Sequence, residues 1–348
     1  QLVALFGPEH GVRGTAEGGA KVGNSVDEKT GVPVYSLYGK TQRPTPEMLK
    51  GLDVLLFDIQ DIGARPYTFV WTMAMAMEAA AKQHVAFVVL DRPNPITARV
   101  GGPLMQMEMR NVGQPITGYY PVPLRHGMTV GEIARYVNGE YDVGADLHVV
   151  PAAGWRGDMW YDETGLPWVN PSPNIRSLTA ALNYSGLVLF EATNLTVGRG
   201  TPEPFSSVGA PWLKVPQLLR AVAKYELPGV RLDSTTYVPS GSGYAPYKGD
   251  TVHAVSIQIT DRDAYEPVWT TLVLLSEIKR LQPDQFEITD EGFTQMLGSR
   301  WARAAFDRGE DPRQIWSRWQ QELAEWWPTR AKYSLYPDEA FARPTATP

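Results

Sequence analysis

The chain has 348 residues, 43% of them hydrophobic and 20% charged, a globular composition too long for one ordinary core. A net charge of −6 with no Lys/Arg cluster beyond isolated pairs argues against a nucleic-acid partner, while leaving room for a locally basic pocket. The absence of cysteine excludes disulfides, thiolate metal sites and a cysteine nucleophile, and no apolar run reaches the ~18–20 residues of a membrane-spanning helix.

In chain order, Leu2–Phe6 reads as a strand. A parallel sheet rarely opens on a strand that must lie inside it, so a preceding βα unit, with any export signal, is expected before Gln1. Val54–Asp58 is a second strand, Thr72–Lys82 a helix and Ala86–Asp91 a third strand. This spacing is the βαβ signature of a parallel sheet, and continuous apolar strands imply helices on both faces. Thr129–Asn138 predicts a helix, with Thr129 as N-cap and Glu132 completing a capping box. A short strand follows at His148–Val150, and Leu187–Phe190 reads as another buried strand ending at Glu191.

Beyond Trp212 the texture changes. Helices over Val215–Lys224, Ala264–Lys279 and Pro312–Trp327, with a strand over Thr251–Thr260, predict a smaller α+β domain. The expected organisation is an α/β, Rossmann-like domain over residues 1–210 and a C-terminal α+β domain over 211–348. Gly (32) and Pro (29) fall in short clusters between apolar runs, so they mark structured loops rather than a disordered tract.

Polar residues concentrate just past the strands, where open parallel sheets bind ligands. Gly7-Pro8-Glu9-His10-Gly11 sets a Glu and a His at a strand end, placed either for general acid/base work or simply to cap a helix. Asp58-Ile59-Gln60-Asp61-Ile62-Gly63-Ala64-Arg65, followed by Tyr67-Thr68, allows metal ligation, a salt-bridged turn, or sugar recognition with Tyr67 as aromatic platform. Asp91-Arg92-Pro93-Asn94-Pro95 holds Arg92 and Asn94 rigidly between prolines, for a site or for a turn. In the loop from Glu191 through Asn194 to Arg199, glycines on both sides of Arg199 allow close approach of a ligand. His126 and Asn174 occupy turn-rich contexts, and His126 taken alone is as well explained as a structural residue. There is no G-x-G-x-x-G, P-loop or G-x-S-x-G elbow, and the histidines lack H-x-x-x-H spacing.

Taken together and in this order, Gly7–Gly11, Asp58–Gly63, Leu90–Pro95, Arg125-His126-Gly127-Met128-Thr129 and Thr193-Asn194 through Gly198-Arg199-Gly200-Thr201 resemble the NamZ-type exo-β-N-acetylmuramidases. The resemblance is specific to about residue 212 and looser beyond. It implies a Rossmann-like catalytic domain with a smaller C-terminal domain, usually preceded by a further βα unit. It implies release of N-acetylmuramic acid from the non-reducing ends of peptidoglycan fragments, export from the cytoplasm, and no cofactor. The family often reads Val-Glu-Gly-Pro where this chain has Val100-Gly101-Gly102-Pro103, so any role of that Glu is lost here.

Glycoside hydrolysis needs a protonated acid at the leaving oxygen and a second group at the anomeric carbon. On this resemblance Glu9 is the expected general acid, tuned or oriented by His10. The second group is Glu191, Asp61 or Asp58, or the substrate's own acetamido oxygen. Asp58, Gln60, Tyr67, Asn94, His126, Asn174 and Asn194 are expected to bind sugar. Arg65, Arg92 and Arg199 are candidate clamps for the lactyl carboxylate of N-acetylmuramic acid. Two rival readings are a non-catalytic cell-wall sugar-binding protein and a metal-dependent hydrolase using Asp58, Asp61 and His10.

Overall fold

A computed structural model describes residues 1–337 apart from 21, 111–115 and 242. Strand β1 (Leu5–Gly7) pairs in parallel with β3 (Pro33–Ser36), and β2 (Ser25–Val26) lies antiparallel on the far edge of β3. A single-turn helix, α1 (Pro46–Leu49), leads into β4 (Val54–Phe57), then helix α2 (Phe69–Lys82) and strand β5 (Ala86–Leu90). A short antiparallel pair, β6 (Gly101–Leu104) with β7 (Pro123–Arg125), precedes helix α3 (Val130–Glu140) and strand β8 (Leu147–Val150). Strands β4, β5 and β8 form a parallel sheet in the order β4-β5-β8, flanked by helices, as the βαβ spacing predicts.

Local chemistry explains these elements. α3 starts where the sequence places it: Thr129 accepts from the Glu132 amide while the Glu132 carboxylate accepts from the Thr129 amide. α2 is buried nearly all round, with Trp71, Met73, Met75 and Met77 fully enclosed. Such a helix has no polar face to lose, and its Met and Ala side chains fill the space between the sheet and α3. Along β4 burial alternates: Leu55 and Phe57 face the core while Val54 and Leu56 are about half exposed.

The second half comprises α4 (Leu178–Leu187), a 3₁₀ turn over Val188–Ala192, strand β9 (Ser207–Ala210), helix α5 (Val215–Val222), strands β10 (Val230–Tyr237) and β11 (Val252–Ile259), and helices α6 (Pro267–Leu281), α7 (Asp290–Leu297), α8 (Arg300–Asp307) and α9 (Pro312–Ala331). β10, β11 and β9 form an antiparallel sheet in that order. The strand predicted over Leu187–Phe190 is instead the end of α4 and the 3₁₀ turn. All four residues are buried, so the run is uniformly apolar and carries no period to separate strand from helix. No helix among the described residues is long and apolar enough to cross a membrane.

The two halves are tied at several points. α9 returns to the first half, where the Arg330 guanidinium donates to the Gly127 carbonyl at 2.8 Å and the Trp326 indole to the Tyr136 hydroxyl at 3.4 Å. Past it, the Tyr336 hydroxyl donates to the buried Asp91 carboxylate at 2.6 Å. The central tie is Arg65, which is 0% exposed. Its guanidinium donates to the Thr117 carbonyl at 2.8 Å and, in the second half, to the Met296 carbonyl at 2.8 Å and the Leu297 carbonyl at 3.2 Å. Burial pushes its pKa down to about 9, which still leaves it charged at neutral pH. Gly298 (φ +73°) passes so close that a Cβ there would stand 2.8 Å from an Arg65 nitrogen.

Replacing Arg65 by Met leaves three buried carbonyls without their donor. The expected loss is about 3–5 kcal/mol of unfolding free energy, read from the midpoint of urea denaturation, with Arg65→Lys falling between the two because a point charge cannot fork to separate acceptors.

Candidate active site

A cavity of about 230 Å³ opens between the two halves. Glu9, His10, Tyr38, Tyr67, Thr68, Asn174, Tyr184, Glu191, Arg199 and Tyr244 are among its lining residues. Glu9 lies just past β1, at the carboxyl end of a strand. One carboxylate oxygen accepts from the Gly19 amide at 2.9 Å, and the other accepts from the Thr68 hydroxyl at 2.9 Å. Thr68 is the N-cap of α2, yet its side chain makes no capping bond; it is turned to Glu9 instead. The Tyr38 hydroxyl lies close by, and burial together with the Glu9 charge pushes its pKa well up.

His10 sits in the left-handed region (φ +68°) and is fixed by a reciprocal pair. Its Nδ1 bonds the Ala16 carbonyl at 2.7 Å, while the Ala16 amide donates to the His10 carbonyl at 3.2 Å. Because a carbonyl can only accept, Nδ1 carries a proton in this contact. Glu9 is therefore oriented by Thr68 and Gly19, whereas the His10 Nδ1 is engaged with the backbone.

Glu191 comes from the 3₁₀ turn, not from a strand end. It is ion-paired with Arg199 Nε. Gly198 (φ +77°) and Gly200 (φ +81°) turn the backbone sharply on each side of Arg199. Burial disfavours the Arg199 cation, but Glu191 more than offsets this and leaves its pKa raised. Arg199 is the one Lys or Arg among the described lining residues.

Between these two ends runs a chain of edge-to-face rings: His10 on Phe69 (centroids 6.1 Å apart), Phe69 on Tyr67 (4.7 Å), Tyr67 on Tyr184 (5.9 Å) and Tyr184 on Phe205 (5.0 Å). The Arg199 guanidinium lies 5.4 Å from the centre of the Phe205 ring. Burial raises the Tyr67 and Tyr184 hydroxyl pKa values well above the ordinary, so both are neutral donors at working pH.

Of the residues singled out in the sequence, the cavity therefore unites Glu9, His10, Tyr67, Asn174, Glu191 and Arg199. The others lie elsewhere. Asp61 is 4% exposed, accepting from the Gly63 amide at 2.7 Å and meeting His126 Nε2 at 3.1 Å. His126 Nδ1 accepts from the Met128 amide, so this pair pins two loops together rather than facing the cavity. Asn94 is likewise buried, bonding the Met128 carbonyl and the Ile96 amide. Arg65 is the interior tie already described. Asp58 and Arg92 form a half-exposed ion pair (2.6 Å) and, with Gln60, border a separate, larger groove beside β1 and β4. Asn194 braces backbone at Gln285 and Glu287. Asp58, Asp61 and His10 thus have separate partners, and no group of three or more metal-binding side chains occurs among the described residues.

Glu17, Tyr38, Thr68, Ser172, Tyr184 and Tyr244 were not singled out by the sequence reading, and all line the cavity. Thr68 and Ser172 adjoin the chosen Tyr67 and lie near Asn174, a proximity that could have flagged them; the rest come from distant segments with no local signal. Gly101, where the family pattern often has Glu, packs near Arg125 and Glu266, and neither it nor they line the cavity.

Two family models match: the N-terminal region of the exo-β-N-acetylmuramidase NamZ over residues 1–179, and its C-terminal region over residues 182–336. The chain is 44% identical over 338 residues to the peptidoglycan β-N-acetylmuramidase NamZ of Bacillus subtilis (strain 168), covering 97% of this chain and 80% of that one. Among solved structures it resembles two DUF1343 family proteins of Bacteroides fragilis NCTC 9343. One has a TM-score of 0.86 at 35% identity, covering 96% of this chain and 86% of that one. The other has a TM-score of 0.76 at 29% identity, covering 97% and 86%.

The two kinds of polar pair should respond differently to truncation. His126→Ala should lower unfolding free energy by about 2–3 kcal/mol, because the buried Asp61 keeps only the Gly63 amide as donor and the Met128 amide loses its acceptor. Arg92→Ala should cost under about 1 kcal/mol, since its pair with Asp58 is screened by solvent; parallel urea titrations would measure both.

Proposed function

The chain belongs to the exo-β-N-acetylmuramidase NamZ family, and from that premise we propose that the Glu9–Arg199 cavity is where it cleaves N-acetylmuramic acid from the non-reducing ends of peptidoglycan fragments. The enzyme is an exo-acting glycoside hydrolase. A cavity of about 230 Å³ is below the ~300 Å³ at which pockets begin to hold drug-sized ligands, so it suits one terminal sugar and not the interior of a glycan strand.

The observation that carries the reading is the contrast between its two carboxylates. Glu191 is held by a guanidinium. Glu9 instead accepts from neutral groups, an amide and a hydroxyl that can accept as well as donate. That setting suits Glu9 to the part of general acid at the glycosidic oxygen and Glu191 to the opposite part. Glu191 is the group to meet positive charge developing at the anomeric carbon. It acts as base or nucleophile, or as a stabiliser if the substrate's acetamido oxygen attacks. Arg199, with Nε occupied by Glu191, turns its remaining N–H groups to the lactyl carboxylate, which a plain N-acetylglucosamine lacks.

The test is release of free N-acetylmuramic acid from MurNAc-β-1,4-GlcNAc. Glu9→Gln should lower kcat by about 10²–10⁴-fold with KM nearly unchanged. Arg199→Lys should chiefly raise KM, by about tenfold or more, and narrow the preference over the corresponding GlcNAc disaccharide. A folded wild type that binds the disaccharide without releasing sugar would replace this reading with that of a cell-wall sugar-binding protein.

A further inference from the structure

The loop between β10 and β11 reaches across to the cavity mouth. Its Ser240 amide donates to the Gly200 carbonyl at 2.9 Å, next to Arg199. A Cβ at Gly200 would stand 2.8 Å from the Ser240 carbonyl oxygen, so the two loops touch backbone to backbone. The Tyr247 hydroxyl donates to the Asn194 carbonyl at 2.5 Å, and Asn194 is itself braced on both sides by Gln285 and Glu287. On the opposite side, a Cβ at Gly243 would stand 2.9 Å from the Glu17 carboxylate, on the loop that follows Glu9.

On this anchored loop Tyr244 is 72% exposed, although it lines the cavity. The other tyrosines lining it, Tyr38, Tyr67 and Tyr184, are buried at 1%, 5% and 8%. None of the other large hydrophobic side chains as exposed as this lines the cavity. Packing does not account for a ring held in solvent by a braced backbone. A pocket closed around one terminal sugar leaves its mouth to the next sugar along the chain, and a flat ring with a polar tip suits the mixed faces of a pyranose.

Resting on the exo-muramidase reading, we propose that Tyr244 is the platform on which the leaving-group sugar stacks, the N-acetylglucosamine on the reducing side of the scissile bond, with Glu17 beside it to accept from that sugar's hydroxyls. The second half of the chain thus supplies the stacking ring, while the first half supplies Glu17 and Glu9, which protonates the oxygen joining the two sugars.

The experiment compares KM for MurNAc-β-1,4-GlcNAc with the inhibition constant of methyl β-N-acetylmuraminide, which fills the closed end and offers no second sugar. In Tyr244→Ala the ratio of KM to that inhibition constant should rise about tenfold, while Tyr244→Phe and Tyr244→Trp stay within about threefold of wild type. An unchanged ratio in Tyr244→Ala overturns the platform, as does a rise in Tyr244→Phe equal to that in Tyr244→Ala, which would make the hydroxyl and not the ring responsible. Wild type that turns over no disaccharide overturns the muramidase reading itself, a failure separate from either.

Discussion

Arg65 is the constraint on which the cavity depends. A buried guanidinium must be supplied with acceptors, and this one takes a carbonyl from the first half and two from the end of α7. Because Pro66, Tyr67 and Thr68 follow it directly, the interaction that joins the halves also fixes the wall that orients Glu9. The Arg65 carbonyl takes the Trp71 indole N–H at 2.7 Å, so the first turn of α2 is held by the same residue. The ends of the cavity come from different halves, Glu9 from one and Glu191 from the other, and of the ties between the halves this is the one that adjoins the cavity wall.

Within that frame, chemistry is divided by the kind of donor each carboxylate meets. Hydroxyl and amide donors set the position of Glu9, and a hydroxyl can reverse its role between donor and acceptor. The guanidinium that meets Glu191 can only donate. The ring chain from His10 to Phe205 runs from the loop that carries Glu9 toward Arg199 and packs the wall between them.

The parallel sheet and α3 were legible because their residues carry local signals: strand-length apolar runs at βαβ spacing, and a capping box. Leu187–Phe190 was misread because burial on every side removes periodicity. In the site, Glu9, Glu191 and Arg199 stood out through Gly and Pro neighbours that place side chains in tight loops. Asp61, Asn94 and His126 carried the same signal for another reason: buried loops also need polar side chains, to satisfy their own backbone. Sequence shows that a loop is polar but not which way its side chains turn. Tyr38, Tyr184 and Tyr244 lay beyond reach altogether, since only the fold brings segments from near residues 40, 180 and 240 to one cavity.

Asn194 shows why the distinction between touching and positioning matters here. It lies in the same loop as Arg199 and looks equally fit to bind sugar, yet its side chain is fully engaged with the backbone at Gln285 and Glu287. Through its carbonyl it holds Tyr247, and through Tyr247 the loop that abuts Gly200. The polar strings along this chain are therefore of two sorts, one facing the cavity and one holding the first in place. A cavity lined from both halves of the chain needs the second sort as much as the first, because neither half alone forms its walls.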